Sequence, residues 1–338
     1  MMKYITAILA VLCLTCVSPL NGEEKPPTTG GPFEVAMEIP ATKYWMYVPE
    51  DYTPNRTWPL VVGLHGSGDN ARNFIQALFG PAQKNKFIIA TPKSAGMSWA
   101  KDDERVILSV MKDVRKKYAV DPERTYLVGF SAGAVTVNLF GFQNQSQFRG
   151  LGMISGALPK GGYKEVKLNC PVFIVCGDKD EMFYPICEEL YRTLDRQKVD
   201  TEFHIMSGMG HGMDSTAVPW VFGKFLERFN KPDDLLKRGK RAVSNNRYLD
   251  AIDYFNKVIE VTAEDTKENK AWSAQAQEEL KKIDKTGSEK YSLALKKIET
   301  KNKDEGVKLL KEIVAQFEGL PVCDKAKQKL AEMETEQK

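Results

Sequence analysis

Residues 129–133, which read Gly-Phe-Ser-Ala-Gly, constrain the fold of this 338-residue chain more than any other stretch. They follow an apolar run at 125–128 that is typical of a buried strand, and they precede a run at 134–140 that is typical of a helix. A serine in such a turn is held in a strained backbone conformation, and only small neighbours let the strand and helix approach so closely. The pattern therefore predicts that Ser131 projects as a nucleophile, with the amide N–H of Ala132 beside it at the helix N-terminus.

Strand-like and helix-like stretches alternate along the first two thirds of the chain. The predicted strands are 33–39, 44–48, 58–64, 87–90, 125–128, 151–154, 172–175 and 201–206. The predicted helices are 71–79, 102–117, 132–142, 181–195 and 218–229. This alternation predicts an α/β fold, in which a mostly parallel sheet is flanked by helices.

Two further motifs accompany the serine turn. Residues 64–68 read Leu-His-Gly-Ser-Gly, and residues 120–124 read Val-Asp-Pro-Glu-Arg just before the strand that leads to Ser131. Together with the turn, they resemble the α/β-hydrolase superfamily, and within it the compact serine esterases related to polyhydroxyalkanoate depolymerases, feruloyl esterases and carboxylesterases. The resemblance covers residues 34–229. It implies an α/β-hydrolase fold and the hydrolysis of carboxylic esters.

A serine hydroxyl needs a base to remove its proton, and imidazole is the side chain best suited to that role near neutral pH. The chain has three histidines. His204 lies inside a predicted strand, and His65 belongs to the loop that follows the strand at 58–64. His211 lies in a glycine-rich loop after the strand at 201–206, where the superfamily carries its base. His211 is therefore the predicted base.

The acid that orients the base is expected in residues 176–181, which read Cys-Gly-Asp-Lys-Asp-Glu after a predicted strand. Asp180 fits the superfamily pattern, because the acid there lies three residues after a glycine, here Gly177. Asp178 and Glu181 stay open as alternatives, since Asp178 could cap the next helix and Glu181 suits the first turn of that helix. The chain order serine, acid, base is that of the superfamily.

The resemblance also implies an oxyanion hole formed by the amide N–H groups of Ala132 and Ser67, although Ser67 could instead be a plain turn residue. His65, Trp99 and Met182 are candidates for substrate contacts near the strand ends, with ordinary packing as the alternative for such side chains. The predicted mechanism requires no metal and no organic cofactor.

The N-terminus predicts export. A basic start, a short apolar core at 5–17 and turn residues at 18–22 are typical of a secretory signal peptide over residues 1–22. The core is too short to span a bilayer comfortably, so no membrane span is expected once the signal is removed. A lipoprotein is less favoured, because Thr15 is a poor residue before Cys16. Residues 23–32, with three prolines and two glycines, predict a flexible lead.

Four cysteines follow the predicted signal peptide. They are Cys170, Cys176, Cys187 and Cys323. Cys170 and Cys176 flank a predicted strand, which would separate their Cα atoms by roughly 20 Å, beyond the reach of a disulfide. Pairing of Cys176 with Cys187 stays open, beside the alternative of small buried thiols. The four show no metal-ligand spacing.

Charged residues become denser in the last third of the chain. They make up 44 of the 108 residues at 231–338, against 49 of the first 230. This shift predicts a boundary between a catalytic domain at 33–230 and a second domain at 231–338. The net charge of +3 is too balanced to favour nucleic acid as a partner.

The second domain is predicted to be all-α. Its helix-like stretches are 233–244, 247–261, 267–283, 289–300, 304–317 and 322–333. Residues 251–259 match residues 306–314 at an offset of 55, and Gly239 matches Ala294. Small residues at such crossing points resemble tetratricopeptide-type helix hairpins, although these units are longer and few. Stacked hairpins offer a surface for a protein partner or another copy of the chain, and the alternative is an appendage that covers or spaces the hydrolase.

The sequence therefore predicts an exported serine esterase, periplasmic or secreted, with a helical-repeat tail and a small-molecule or polymer ester as substrate. A serine peptidase of the same fold, similar to prolyl oligopeptidases, is one alternative, because an identical triad can cleave amides. The other is a scaffold protein with an inactive hydrolase domain, against which the intact set of Ser131, Asp180 and His211 argues.

Overall fold

A computed structural model describes residues 28–162, 167–264, 266–300 and 302–335. The predicted signal peptide and the first part of the predicted lead lie outside these ranges. Among the helices that the structure describes, none is both long and apolar enough to cross a membrane.

Eight strands form one sheet. In chain order they are β1 (Gly30–Met37), β2 (Thr42–Val48), β3 (Trp58–Leu64), β4 (Ile88–Pro92), β5 (Val120–Phe130), β6 (Gly150–Ile154), β7 (Val172–Gly177) and β8 (Thr201–Met206). Their spatial order is β1-β2-β4-β3-β5-β6-β7-β8. The pairs β1 with β2 and β2 with β4 are antiparallel, and all other pairs are parallel. The carboxyl ends of β3 to β8 therefore share one edge of the sheet.

The central strands of this sheet are apolar on both faces, and helices cover both faces and bury them. The helices are α1 (Ala71–Asn85), α2 (Asp103–Lys117), α3 (Ala132–Thr136), α4 (Tyr184–Arg196) and α5 (Ala217–Phe229), and α3 continues into a wider π-helical turn at Val137–Gly141. Leu60 and Val62 of β3 pack into one core with α2 and α4, while Val61 packs into the other with α1 and α5. Successive residues of β3 are thus buried on opposite faces of the sheet, as expected of a parallel strand between two layers of helices.

This sheet, with its helices on both faces and a helical region after it, confirms the predicted fold class, an α/β-hydrolase fold followed by an all-α region. Two local features differ from the sequence pattern. Strand β1 begins at Gly30, inside the predicted lead. Helix α1 runs to Asn85, through Pro81, because its buried side chains Phe74 and Leu78 pack on the sheet whatever the local propensity.

The region after α5 contains five helices within the described residues. They are α6 (Pro232–Ser244), α7 (Tyr248–Val261), α8 (Lys267–Glu299), α9 (Lys303–Gln316) and α10 (Pro321–Thr335). The two helices predicted at 267–283 and 289–300 are one helix, α8, so that prediction was wrong. Gly287 in its middle permits close packing, since a Cβ there would lie 2.9 Å from the ring of Phe317 and 2.7 Å from Val322. Asp284 accepts a hydrogen bond from the backbone N–H of Val322 at 3.1 Å. What looked like a break is a packing site for α10.

The helical region docks against the amino ends of the strands. Tyr254 of α7 donates a hydrogen bond to Asp121 at the start of β5, and Arg238 and Arg241 of α6 form ion pairs with Glu123. The side chain of Asp250 accepts from the backbone N–H of Thr57 at 2.7 Å. The residues at 120–124 therefore form a surface, the dock, on which the helical region packs. Because Ser131 lies at the opposite end of β5, the dock and the serine are about 20 Å apart.

Candidate active site

Ser131 lies in the turn between β5 and α3. Its backbone angles, φ 53° and ψ −116°, belong to a sparsely populated region that costs energy for a residue with a side chain. Two hydrogen bonds hold the turn, one from the N–H of Ser131 to the carbonyl of Ile154 at 2.9 Å and one from the N–H of Val135 to the carbonyl of Ser131 at 3.0 Å. Such strain is maintained only where the surroundings fix the backbone, as they do here.

Both glycines of the turn are needed for steric reasons. A Cβ on Gly129 would lie 2.3 Å from the carbonyl carbon of Gly133, and a Cβ on Gly133 would lie 2.0 Å from the carbonyl oxygen of Leu64. A third glycine, Gly156, which the sequence pattern did not single out, lies just after β6 and packs against the same turn. A Cβ on Gly156 would lie 2.3 Å from the carbonyl oxygen of Ser131.

The structure brings Ser131, His211 and Asp180 together in one hydrogen-bonded run. Nε2 of His211 lies 2.9 Å from Oγ of Ser131, and Nδ1 of His211 lies 2.7 Å from Oδ2 of Asp180. Asp180 is buried, with 3% of its surface exposed, whereas 43% of the His211 side chain is exposed. The buried carboxylate can fix the tautomer in which Nδ1 carries the proton, and Nε2 then faces the serine as an acceptor.

Neither alternative acid reaches His211. Asp178 accepts a hydrogen bond from the backbone N–H of Gly208 at 2.7 Å, so its carboxylate braces the loop that leads to His211. Glu181 is exposed. The other oxygen of Asp180, Oδ1, accepts from the backbone N–H of Phe183 at 3.0 Å, and the thiol of Cys176 lies 3.9 Å from Oδ2. Asp180 thus has donors on both oxygens.

The loops that carry the acid and the base are joined backbone to backbone. The N–H of Lys179 donates to the carbonyl of Met209 at 2.8 Å. Gly177 permits this contact, because a Cβ there would lie 2.2 Å from the same Met209 oxygen. The glycine that turns the acid loop therefore also makes room for the base loop.

Ser155 is a further site residue that the sequence pattern did not single out. It is fully buried, adopts a positive φ of 48°, and donates from Oγ to the carbonyl of Gly212 at 2.7 Å, directly beside His211. Its backbone N–H donates to Val175 of β7. The signal in the sequence was a Ser-Gly pair directly after a predicted strand, at the same sheet edge as Ser131.

The backbone N–H groups of Ala132 and Ser67 have no protein acceptor among the described residues. Ala132 opens α3, so its N–H has no partner within the helix. Ser67 follows Gly66, whose position for a Cβ lies 3.4 Å from Cβ of Ser131. The loop of Ser67 is held by hydrogen bonds from Gly68 N–H to the carbonyl of Met97 and between the hydroxyls of Ser67 and Ser98.

His65 and Trp99 lie beneath this loop. His65 is 1% exposed, and its Nδ1 lies 2.9 Å from the carbonyl oxygen of Gly66, to which it can donate. The backbone N–H of Ser94 donates to Nε2 at 3.3 Å, and the Trp99 indole donates to the carbonyl of His65 at 2.8 Å. The burial of His65 argues against the predicted substrate contact, and its hydrogen bonds show a residue that supports the loop. Met182, by contrast, is 69% exposed beside Asp180.

The described cysteines, Cys170, Cys176, Cys187 and Cys323, are buried free thiols. The pKa of Cys187 is raised, mainly by a hydrogen bond with Cys176 and secondly by burial, so this thiol stays protonated. Among the described residues, no group of three or more His, Cys, Asp or Glu side chains is arranged to bind a metal ion.

No family model matches this chain. A probable feruloyl esterase C of Aspergillus niger is 29% identical over 171 residues, which cover 47% of this chain and 62% of that protein. Feruloyl esterase C of Emericella nidulans is 26% identical over 167 residues, which cover 45% of this chain and 60% of that protein. The chain thus spans about three fifths of the length of these curated relatives.

Among solved structures, the fluorophosphonate-binding serine hydrolase F of Staphylococcus aureus covers 60% of this chain and 100% of its own, with 13% identity and a TM-score of 0.49. A ferulic acid esterase of Anaeromyces mucronatus covers 59% of this chain and 90% of its own, with 16% identity and a TM-score of 0.48.

Proposed function

We propose that this chain is a serine hydrolase that cleaves carboxylic esters through a Ser131–His211–Asp180 triad. The observation that carries the proposal is the hydrogen-bonded run of these three side chains, set beside two backbone N–H groups that have no protein acceptor within the described residues. The curated relatives named as feruloyl esterases support the same reaction class.

The reaction proceeds in two acyl transfers. Nε2 of His211 takes the proton from Ser131 as Oγ bonds to the ester carbon, and the carbonyl electron pair moves onto oxygen. The N–H groups of Ala132 and Ser67 stabilise that oxyanion. When the oxyanion collapses, the bond to the alcohol oxygen breaks and the alcohol leaves with the proton held on Nε2. Water then repeats the sequence on the acyl-enzyme, and the acid is released with Ser131 restored.

Substrate and location follow as parts of the same proposal. The relatives' names point to esters of ferulic acid or similar aromatic acids as the first substrates to examine. The basic and apolar N-terminal stretch at 1–22 supports export, and the helical region supports a protein partner or self-association.

The proposal is tested by ester hydrolysis. Purified wild type should hydrolyse p-nitrophenyl acetate and methyl ferulate, and Ser131→Ala should lower kcat at least ~10³-fold, because the nucleophile is gone. Ser146→Ala, which changes an exposed serine elsewhere, is the matched control and should keep full activity. Equal rates for wild type and Ser131→Ala would refute the proposal. Cleavage of peptides alone would favour the peptidase instead.

A further inference from the structure

We propose that Phe130 and Phe183 are positioning residues that hold the His211 imidazole in the plane in which it bridges Asp180 and Ser131. This inference rests on the proposed function, since it gives the two rings a role in the same triad. It starts from the ring contacts of His211. The Phe183 ring lies 5.2 Å from the imidazole, centroid to centroid, with 28° between the planes. The Phe130 ring lies at 5.6 Å with 23° between the planes.

The imidazole needs such a restraint. The ring torsion of histidine is intrinsically broad, so the side chain by itself selects no single orientation. Almost half of the His211 side chain is exposed, and its bond to Ser131 also lies in an exposed setting. A rotation of the ring would break the contact of Nδ1 with Asp180 and that of Nε2 with Ser131 together. Nearly parallel aromatic rings oppose that rotation, because a turned imidazole would collide with them and lose its stacking.

Each aromatic ring is attached to one of the groups that the imidazole must bridge. Phe130 is the residue before Ser131, and its ring also contacts the loop of Ser67, since a Cβ on Gly66 would lie 3.1 Å from that ring. Phe183 lies at the N-terminus of α4, and its backbone N–H donates to Asp180. A shift of the nucleophile or of the acid would therefore move a ring that contacts the base.

The two parts of Phe183 can be separated by mutation. Its N–H holds the acid and its ring contacts the base, and a change to leucine removes the ring while it leaves the N–H in place. The same change at Phe130 removes a ring and leaves the Gly-x-Ser-x-Gly turn intact. Phe79→Leu is the matched control, because Phe79 is a half-buried phenylalanine in α1 whose ring contacts Tyr47.

The kinetic test measures kcat and KM for p-nitrophenyl acetate. Phe183→Leu and Phe130→Leu should each lower kcat roughly 10-fold with KM changed less than about 2-fold, because displacement of a catalytic group slows the chemical step. Phe183→Tyr and Phe130→Tyr keep a ring and should restore most of kcat. The control Phe79→Leu should keep kcat. An unchanged kcat in both leucine variants, or an equal loss in the tyrosine variants, would overturn the inference.

A second measurement needs no turnover. The low-field proton resonance of the His211 Nδ1–H that faces Asp180 can be recorded by NMR and identified by its absence in His211→Ala, in a chain with only three histidines. It should broaden or vanish in Phe183→Leu and persist in Phe79→Leu. A sharp, unshifted resonance in Phe183→Leu would overturn the inference. If wild type hydrolyses no ester, the proposed function fails, and this resonance still decides whether the rings hold the imidazole.

Discussion

Ser155 shows how a residue outside the triad can position it. Its Oγ donates to the carbonyl of Gly212 from a fully buried position, so it ties the strand end of β6 to the base loop. The carbonyl of Gly212 is half-buried, so the loss of its donor should cost no more than the roughly 1–3 kcal/mol of a fully buried group.

We predict that Ser155→Ala lowers the free energy of unfolding by about 1–2 kcal/mol and lowers kcat on p-nitrophenyl acetate several-fold, since the loop of His211 loses its anchor. Alanine and serine face the same backbone strain at a positive φ, so the change isolates the hydroxyl. Urea unfolding and steady-state kinetics measure both effects, with Ser146→Ala as the exposed control. A Ser155→Ala variant with wild-type kcat would show that Gly212 needs no such anchor.

At this scale the sequence predicted the residues that belong to a local motif or to a fixed chain order. Ser131, Asp180 and His211 are of this kind. Ser155 is not, because its partner Gly212 is distant in the chain and comes close only through the pairing of β6 with β7 and of β7 with β8. The contacts of Phe130 and Phe183 with His211 could not be predicted either, because the orientation of their rings depends on side-chain packing.

Two glycines inside helices, one in α6 and one in α5, show that the role of a helical glycine depends on the atoms around it. Gly239 in α6 lies where α7 crosses, and a Cβ there would lie 2.5 Å from the buried ring of Phe255. Gly223 in α5 has no atom within 4 Å of the same position. Both glycines have helical backbone conformations, but only Gly239 is in close contact with another helix.

We predict opposite signs for the same substitution at these two positions. Gly239→Ala should lower the free energy of unfolding by about 1–3 kcal/mol, since Phe255 is fully buried and cannot move aside without strain. Gly223→Ala should raise it by up to about 1 kcal/mol, because alanine loses less backbone entropy in a helix. Urea unfolding of both variants gives the comparison. A stabilised Gly239→Ala variant would contradict the close crossing of α6 and α7.

The sequence predicted most of the helices and strands, but it did not predict where each of them begins and ends. The eight strands and the helices of the sheet follow from apolar runs and helical spacing. The single helix α8 does not, because residues 284–288 contain the aspartate, glycine and serine that usually mark a turn. Burial of Gly287 against Phe317 outweighs those local preferences.

At the scale of the whole molecule, the helical region is joined to the α/β region by specific charges. Although this region is rich in charged residues, Arg238 is only 7% exposed, and it pairs with Glu123. A count of charges cannot reveal this pair, because Arg238 and Glu123 are 115 residues apart in the chain.

This interface contains a carboxyl group with a shifted pKa. The pKa of Asp253 is raised to about 6, chiefly by burial and also by Asp250 and Glu318, which together outweigh the lowering by Arg56 and Arg124. Because the pKa is higher in the folded chain than in the unfolded chain, the group contributes stability that is fully present below about pH 4. That contribution is lost as the pH rises through about 6.

We predict that Asp253→Asn weakens the pH dependence of stability between pH 4 and pH 6.5, because asparagine does not titrate. The difference should be about 1 kcal/mol or less, since 44% of the Asp253 side chain is exposed and water screens the effect. Urea unfolding across this pH range measures it, with Asp304→Asn, an exposed aspartate in α9, as the control. An identical pH dependence in wild type and Asp253→Asn would show that the carboxyl does not contribute.

The dock at the amino ends of the strands also has a consequence for the order in which the chain folds during synthesis. Asp121 and Tyr254 are 133 residues apart, and Arg56 and Glu318 are 262 residues apart. The ribosome therefore synthesises every strand of the sheet before it makes the helices that bind Asp121 and Glu123. Domains generally fold from the N-terminus as they emerge, so the sheet has to assemble with these carboxylates in water. The contacts of α6 and α7 then form on a sheet that is already assembled, and the contact of Arg56 with Glu318 forms last.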